Sequence, residues 1–179
     1  IESNVNLIRS RMHVAAVGAG RLPESVTLLP VTKMVGMGEV GALYDLGFRA
    51  FGENRAEVAG PKIEAMPGDI RWHMIGSVQR RKAKDVVRLF DRVDSVDRLE
   101  LVDEFEKRCA VLDKSLEVLL QVNVSGEDVK HGFSPNLLSD TLKTVQSRPH
   151  LNTVGLMTMA PISASESAIR GYFRELKHL

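Results

Sequence analysis

Of six short apolar runs in this 179-residue chain, five finish on polar side chains able to do chemistry. The ends carry Lys33, then Glu53 and Asn54, then His73 with Ser77 and Gln79 just beyond, then Asp94 and Ser95, Asn123 and Ser125, and finally Met157 and Thr158. α/β folds build their sites at the carboxyl ends of strands, so these groups would converge on one mouth. Lys33 has the most chemical consequence. It closes the run "TLLPVTK", and strand alternation puts it on the face of Thr27, Leu29 and Val31. A lysine there either snorkels to solvent or is a desolvated amine able to condense with an aldehyde. Its companions each have a plainer reading. Asn54 and Glu57 form N-x-x-E, the pattern of a helix cap. His73, beside Trp72, reads as a hydrogen-bonded core histidine. Asn123 reads as a satisfier of loop backbone, and Asp94 and Ser95 as turn residues.

Two other patterns compete for the function. Gly36, Gly38 and Gly41 have the spacing G-x-G-x-x-G between a strand and a helix, with Glu53 placed where a ribose-binding acid could lie. The dinucleotide fingerprint needs its first glycine in the tight turn itself, and here Lys33, Met34 and Val35 intervene; the alternative is a glycine-tolerant loop and helix start. The run "QRRKAKDVVR" places Arg80, Arg81, Lys82, Lys84 and Arg88 together. A solvated helix face explains it, because nucleic-acid binding as a main role brings a basic excess and the net charge is +1.

The elements that position these residues follow from periodicity and caps. Residues 3–18 read as a helix with Val5, Ile8, Met12, Ala15 and Ala16 on one stripe. Apolar runs at 26–33, 48–53, 71–76, 92–96, 116–124 and 152–159 then alternate with amphipathic segments at 37–47, 55–66, 80–90, 98–112, 135–147 and 166–179. Asp97 and Glu100 make a D-x-x-E start for Val102, Phe105, Cys109 and Leu112. Ser134 and Pro135 read as N-cap and first helical position. Ser163 and Glu166 repeat the capping box ahead of a buried face of Ile169, Tyr172, Phe173 and Leu176. "LEVLLQVNV" is nearly all apolar, as in a parallel strand covered on both faces. Alternating β and α elements imply a parallel sheet. Six units satisfy an open doubly wound sheet and fall two short of a (β/α)8 barrel.

Composition excludes several classes. Apolar residues make up 44% and charged residues 26%, an ordinary globular balance. A single cysteine, Cys109, forms no internal disulfide framework and fits a reducing compartment. No apolar run approaches the roughly 20 residues that span a bilayer, and no signal-peptide pattern opens the chain.

The stretches "PVTK", "LGFRAFGENRAEV", "DIRWHMIGSVQRRKAK", "VDSVDRLELV", "LLQVNVSGEDVKHGF" and "VGLMTMAP" together resemble the pyridoxal phosphate homeostasis proteins, in family order from Val26 onward. The resemblance implies a (β/α)8 TIM-type barrel of the alanine-racemase kind, with an extra N-terminal helix and no second domain. It implies pyridoxal 5'-phosphate held as a Schiff base on Lys33, with Asn54, His73 and Met157 as candidates to line the cofactor. The function it implies is a non-catalytic, cytoplasmic, monomeric protein that buffers the cofactor or delivers it to apo pyridoxal-phosphate-dependent enzymes, with no nucleic acid or membrane partner. The alternative is a racemase of low activity, which needs an acid/base on each face of the substrate α-carbon; the two tyrosines, Tyr44 and Tyr172, fall on outer helices. Because the chain opens on Ile1 and six strands cannot close an eight-stranded barrel, the last strands and the phosphate ligands are expected beyond Leu179. Residues 1–179 read as one cofactor-binding barrel domain.

Overall fold

The computed structural model describes residues 1–126 and 131–179. A leading helix α1 (Glu2–Gly18) is followed by α2 (Met37–Asp45), β1 (Ala50–Glu53), α3 (Ala56–Ala65), β2 (Arg71–Met74), α4 (Ala83–Leu89), β3 (Arg92–Val96), α5 (Leu99–Leu112), β4 (Leu116–Gln121), α6 (Leu138–Gln146), β5 (Leu151–Met157) and α7 (Glu166–His178). The strands form one sheet in the order β1-β2-β3-β4-β5, all parallel. Strand order separates the two layouts open in the sequence. A doubly wound sheet reverses its order at a switch point, whereas here every strand lies beside its predecessor, as in a (β/α) barrel wall.

The expected first strand, 26–33, is reduced to a single parallel bridge between Val31 and Gly52. Gly52 N–H donates to Pro30 O (2.8 Å) and Thr32 N–H donates to Gly52 O (3.0 Å). Pro30 brings no N–H of its own, so the ladder does not extend back through it. The remaining strands match their apolar runs, most of them shortened.

Between sheet and helices lies the core. Phe51, Val86, Val87, Phe90, Val93, Leu101, Val102, Phe105, Leu116, Val118 and Leu120 are fully buried, and Phe51 stacks on Trp72 with ring centroids 5.6 Å apart. β4 is not covered equally on both faces as expected. Leu116, Val118 and Leu120 are buried under helices, while Glu117, Leu119 and Gln121 on the other face are half-buried. That second face, shared by alternate residues of each strand, is the lumen side.

Several caps differ from the sequence reading. α5 begins after Arg98 with no side-chain cap; Asp97 instead receives the Arg98 guanidinium, and Leu112 is exposed at the helix end. α3 begins after Arg55 without a side-chain cap, so Asn54 does not cap it. α7 is capped by Ser165, whose hydroxyl accepts from Ala168 N–H, rather than by Ser163. On α7, Ile169, Tyr172 and Leu176 are half-buried while Phe173 is exposed. On α1, Val5 and Ala16 are buried and Ile8 is largely exposed.

Candidate functional site

Two faces of the segment before Lys33 point in opposite directions. Thr32 turns outward beneath α3 and is wholly buried, its hydroxyl donating to Glu53 Oε1 (2.7 Å). Leu29 turns the other way, toward the missing side chain of Gly52, and Val31 is Gly52's bridge partner. Val31 therefore lies on the lumen side, opposite Thr32. Lys33 is exposed and stands in a turn closed by Val35 N–H on Thr32 O (3.2 Å).

Register carries the lumen face across the sheet. Gly52 pairs with His73, His73 with Arg92, Arg92 with Glu117, and Glu117 with Asn152. His73 is thus level with Val31, below Lys33 along the strand direction. It is nearly buried, with Nδ1 3.3 Å from Asp94 Oδ2. Arg92 Nε donates to Asp94 Oδ1 (2.7 Å), and Arg71 reaches Glu117 at 2.9 Å. A polar ladder, rather than the branched aliphatics usual in such barrels, lines this part of the lumen. Asp94 is therefore a lumen residue and not a turn residue, while Ser95 donates to Gly76 O (2.6 Å).

Asn54 follows β1 directly and is half-buried. Its backbone lies so close to Gly76 that a Cβ there would sit 2.4 Å from Asn54 O. The strand ends carrying Asn54 and Gly76 are thereby packed together beside the Lys33 turn. Met157 is placed differently. On β5, the far edge of the sheet, it pairs with Gln121 of β4, and β1 to β4 lie between it and the Lys33 segment. Beside it, Gln121, Asn123, His131, Thr158 and Met159 help line a cleft of about 530 Å³ at the carboxyl ends of β4 and β5. So the Lys33 turn, Asn54 and His73 belong to the β1–β2 end of the sheet, and Met157 to its β5 edge. Of the stretch "LLQVNVSGEDVKHGF", residues 127–130 lie outside the described residues.

The rival readings lose their geometry. Gly36 is the N-cap of α2 at φ −89°, its N–H already taken by Glu39 Oε2 (3.1 Å), and no heavy atom approaches Gly38 or Gly41. Glu53, the supposed ribose acid, faces away from the lumen and is completely buried. Within the basic run, Arg80 pairs with the buried Glu104 (3.4 Å) and Lys82 with Glu57 (3.8 Å). Among the described residues no trio of His, Cys, Asp or Glu could hold a metal, and no helix is long and apolar enough to cross a membrane.

Sequence reasoning passed over Lys62. From α3 its Nζ donates to Glu53 Oε1 and to Thr32 O, each at 2.7 Å. The buried lysine of this region is Lys62, and the exposed one is Lys33. Its sequence signal is faint, a lysine just after Pro61 inside an amphipathic helix. The lumen ladder had a clearer signal: Arg71 and His73, Arg92 and Asp94, and Glu117 are polar residues at alternate positions of largely apolar strands.

Comparison with known proteins defines the class first. Residues 1–179 match the family model for the alanine racemase N-terminal domain, and the fold is the TIM-type barrel of that domain. A solved structure of a protein of unknown function from Bifidobacterium adolescentis superposes with a TM-score of 0.93 at 30% identity, covering 98% of this chain and 76% of that one. PipY of Synechococcus elongatus, solved with pyridoxal phosphate bound, superposes with a TM-score of 0.79 at 27% identity, covering 93% and 78%. The pyridoxal phosphate homeostasis protein of Aquifex aeolicus is 33% identical over 173 residues, which is 96% of this chain and 76% of the relative. The chain belongs to the pyridoxal phosphate homeostasis protein family.

Proposed function

We propose that this protein binds pyridoxal 5'-phosphate covalently, as a Schiff base on Lys33, and buffers or delivers it as a monomeric carrier rather than turning over a substrate. The observation that carries this reading is the setting of Lys33. Lys33 is exposed in the turn that follows the Val31 bridge, at the carboxyl end of the sheet, while the residue before it is locked from behind. An amine in that position can reach an aldehyde entering the mouth; one on an outer helix cannot. The cofactor found in PipY supplies the matching chemistry, an aldehyde on an electron-withdrawing ring.

The other residues fit the same ligand. His73 has Nδ1 engaged by Asp94, so its contact to a ligand runs through Nε2. Asn54 offers an amide beside the Lys33 turn, able to donate to or accept from a phenolic or phosphate oxygen. Met157 offers a polarizable thioether against a ring from the opposite wall. Residues 1–179 act in this reading as one binding domain, and apo pyridoxal-phosphate-dependent enzymes are the recipients.

The test is borohydride reduction of the protein incubated with pyridoxal 5'-phosphate, followed by intact mass and peptide mapping. A reduced pyridoxyl group on Lys33, absent from Lys33→Ala, is the expected result. An adduct that persists in Lys33→Ala, or that maps to another lysine, ends the proposal. Transfer to an apo-enzyme, followed by recovery of its activity, tests delivery; recovery no faster than with an equal concentration of free cofactor removes that part.

A further inference from the structure

We infer that Glu53 and Lys62 are positioning residues for Lys33, acting from outside the barrel through Thr32. The inference rests on Lys33 being the anchor and adds what holds it. Thr32 is fixed at every polar atom. Its N–H donates to Gly52 O (3.0 Å). Its hydroxyl donates to Glu53 Oε1 (2.7 Å). Its carbonyl accepts from Lys62 Nζ (2.7 Å) and from Val35 N–H (3.2 Å). That carbonyl belongs to the peptide joining Thr32 to Lys33. Lys62 therefore holds the peptide plane that sets the direction in which Lys33 leaves the wall.

The pair is built for rigidity more than for stability. Glu53 is wholly buried and the Lys62 side chain nearly so. A buried ion pair roughly breaks even against an apolar substitute, because both charges leave water. What the arrangement does supply is geometry. One carboxylate oxygen gathers the Thr32 hydroxyl and the Lys62 ammonium, tying strand end, turn and α3 into one unit. Lys33 itself is exposed and long, with side-chain freedom that slows capture of an aldehyde unless its backbone is fixed.

The experiment separates capture from folding. Rapid mixing with pyridoxal 5'-phosphate, across a concentration series, gives the half-saturating concentration, the limiting capture rate and the fraction that captures. In Lys62→Met the limiting rate is expected to fall about tenfold while half-saturation moves by less than about twofold, because misplacement of a reacting group acts on the covalent step. A merely structural role lowers the capturing fraction and leaves the rate of the folded molecules unchanged. Thr32→Val removes the hydroxyl and is expected to slow capture in the same sense; Thr32→Ser keeps it and restores the rate. Faster hydrogen exchange at the Lys33 and Val35 amides, measured without cofactor, is expected in Lys62→Met and Thr32→Val. Should Lys62→Met fail to fold, the Thr32 pair decides alone. Wild-type rates in Thr32→Val, or in a folded Lys62→Met, overturn the inference. Lys33→Ala, run alongside, distinguishes the failures. Capture retained there removes the anchor; capture lost there, with wild-type rates in the other variants, removes only the positioning role.

Discussion

Gly76→Ala tests how closely the mouth is built. A Cβ at this position would lie 2.4 Å from Asn54 O and 2.9 Å from both Asn54 Cα and Cβ. Carbon–oxygen contacts settle at about 3.3–3.6 Å, so one strand end must retreat by roughly 1 Å. Gly76 is not free to do so, since its own carbonyl accepts from the buried Ser95 hydroxyl at 2.6 Å. The obstacle is backbone, which cannot turn aside as a side-chain tip can. The cost therefore falls in the upper part of the overpacking range, about 2–3 kcal/mol. At roughly 2–4 °C per kcal/mol for a chain of this size, the melting midpoint should drop by about 4–12 °C. A retreat of that size moves Asn54 relative to the Lys33 turn, so capture of pyridoxal 5'-phosphate should slow by about tenfold or more. Urea unfolding and the rapid-mixing assay read the two effects separately. An alanine variant within about 0.5 kcal/mol of wild type, loading at the wild-type rate, would refute the close packing of these two strand ends.

Gly132→Ala should also destabilise, by about 1–3 kcal/mol, because Gly132 has φ +130° and a Cβ would meet Asn123 N at 2.8 Å; an unchanged urea midpoint rejects this. Cys109 is buried and its thiol is pushed up to about 11, chiefly by desolvation with Glu106 adding to it, so thiol reagents at neutral pH should label it only on unfolding. Prompt labelling of native protein contradicts that. The Glu104 carboxyl is held below its ordinary value of 4.5, first by the hydrogen bond from Arg108, with Arg80 assisting against the opposing effect of desolvation. A lowered folded-state value contributes stability above pH 4.5 that is lost as pH falls through it. Glu104→Gln should therefore be less stable than wild type at pH 7, with the gap closing in acid; equal gaps at both pH values would falsify the linkage. Phe105→Ala, in a fully buried position on α5, should cost about 3–5 kcal/mol by denaturant unfolding, and a cost under about 1 kcal/mol would mean the core closes over the gap.

What the sequence made legible was whatever a local period can express. Phe105 and Cys109 recur at helical spacing and are buried, and β3 appears where "RVDSV" leads one to expect it. Competing local chemistry misled the rest. Pro30 sits inside an apolar run and reduces it to the bridge at Val31. Asp97 has the spacing of a cap yet binds Arg98, because a guanidinium next in sequence competes with the helix amides for the same carboxylate. The candidate site was legible as residue types, not as sides. Glu53 and Asn54 adjoin in sequence, and β geometry sends them to opposite faces. The contact that fixes Thr32 crosses 30 residues to Lys62, a separation that no local window reports. Order among strands was equally hidden, since alternation of β and α is common to both doubly wound sheets and barrels.

Whether a cofactor held on Lys33, as proposed, would also support racemisation turns on a second proton donor. Racemisation removes the α-proton on one face and returns one on the other. Lys33 can serve one face; the issue is what serves the second. Tyr44, on α2, donates to both Asp69 oxygens (3.1 and 3.2 Å), with the Arg49 guanidinium 3.8 Å over its ring. Asp69 and Arg49 precede β2 and β1, so this cluster lies at the amino ends of the strands, opposite Lys33. Tyr172 is half-buried on α7, packed against the core. Neither phenol is set toward the Lys33 amine. Among the described residues of that wall, His73 lies level with Val31, with Nδ1 already engaged by Asp94. If Lys33 works alone, any α-proton exchange occurs on one face and configuration is retained. The cofactor-loaded protein incubated with L-alanine in deuterated water should therefore yield no D-alanine, whatever deuterium enters. Accumulation of D-alanine that is lost in Lys33→Ala would establish a second donor and make this protein a racemase. Accumulation lost in a His73→Gln variant that still loads the cofactor on Lys33, and that still exchanges the α-proton on one face, would identify His73 as that donor.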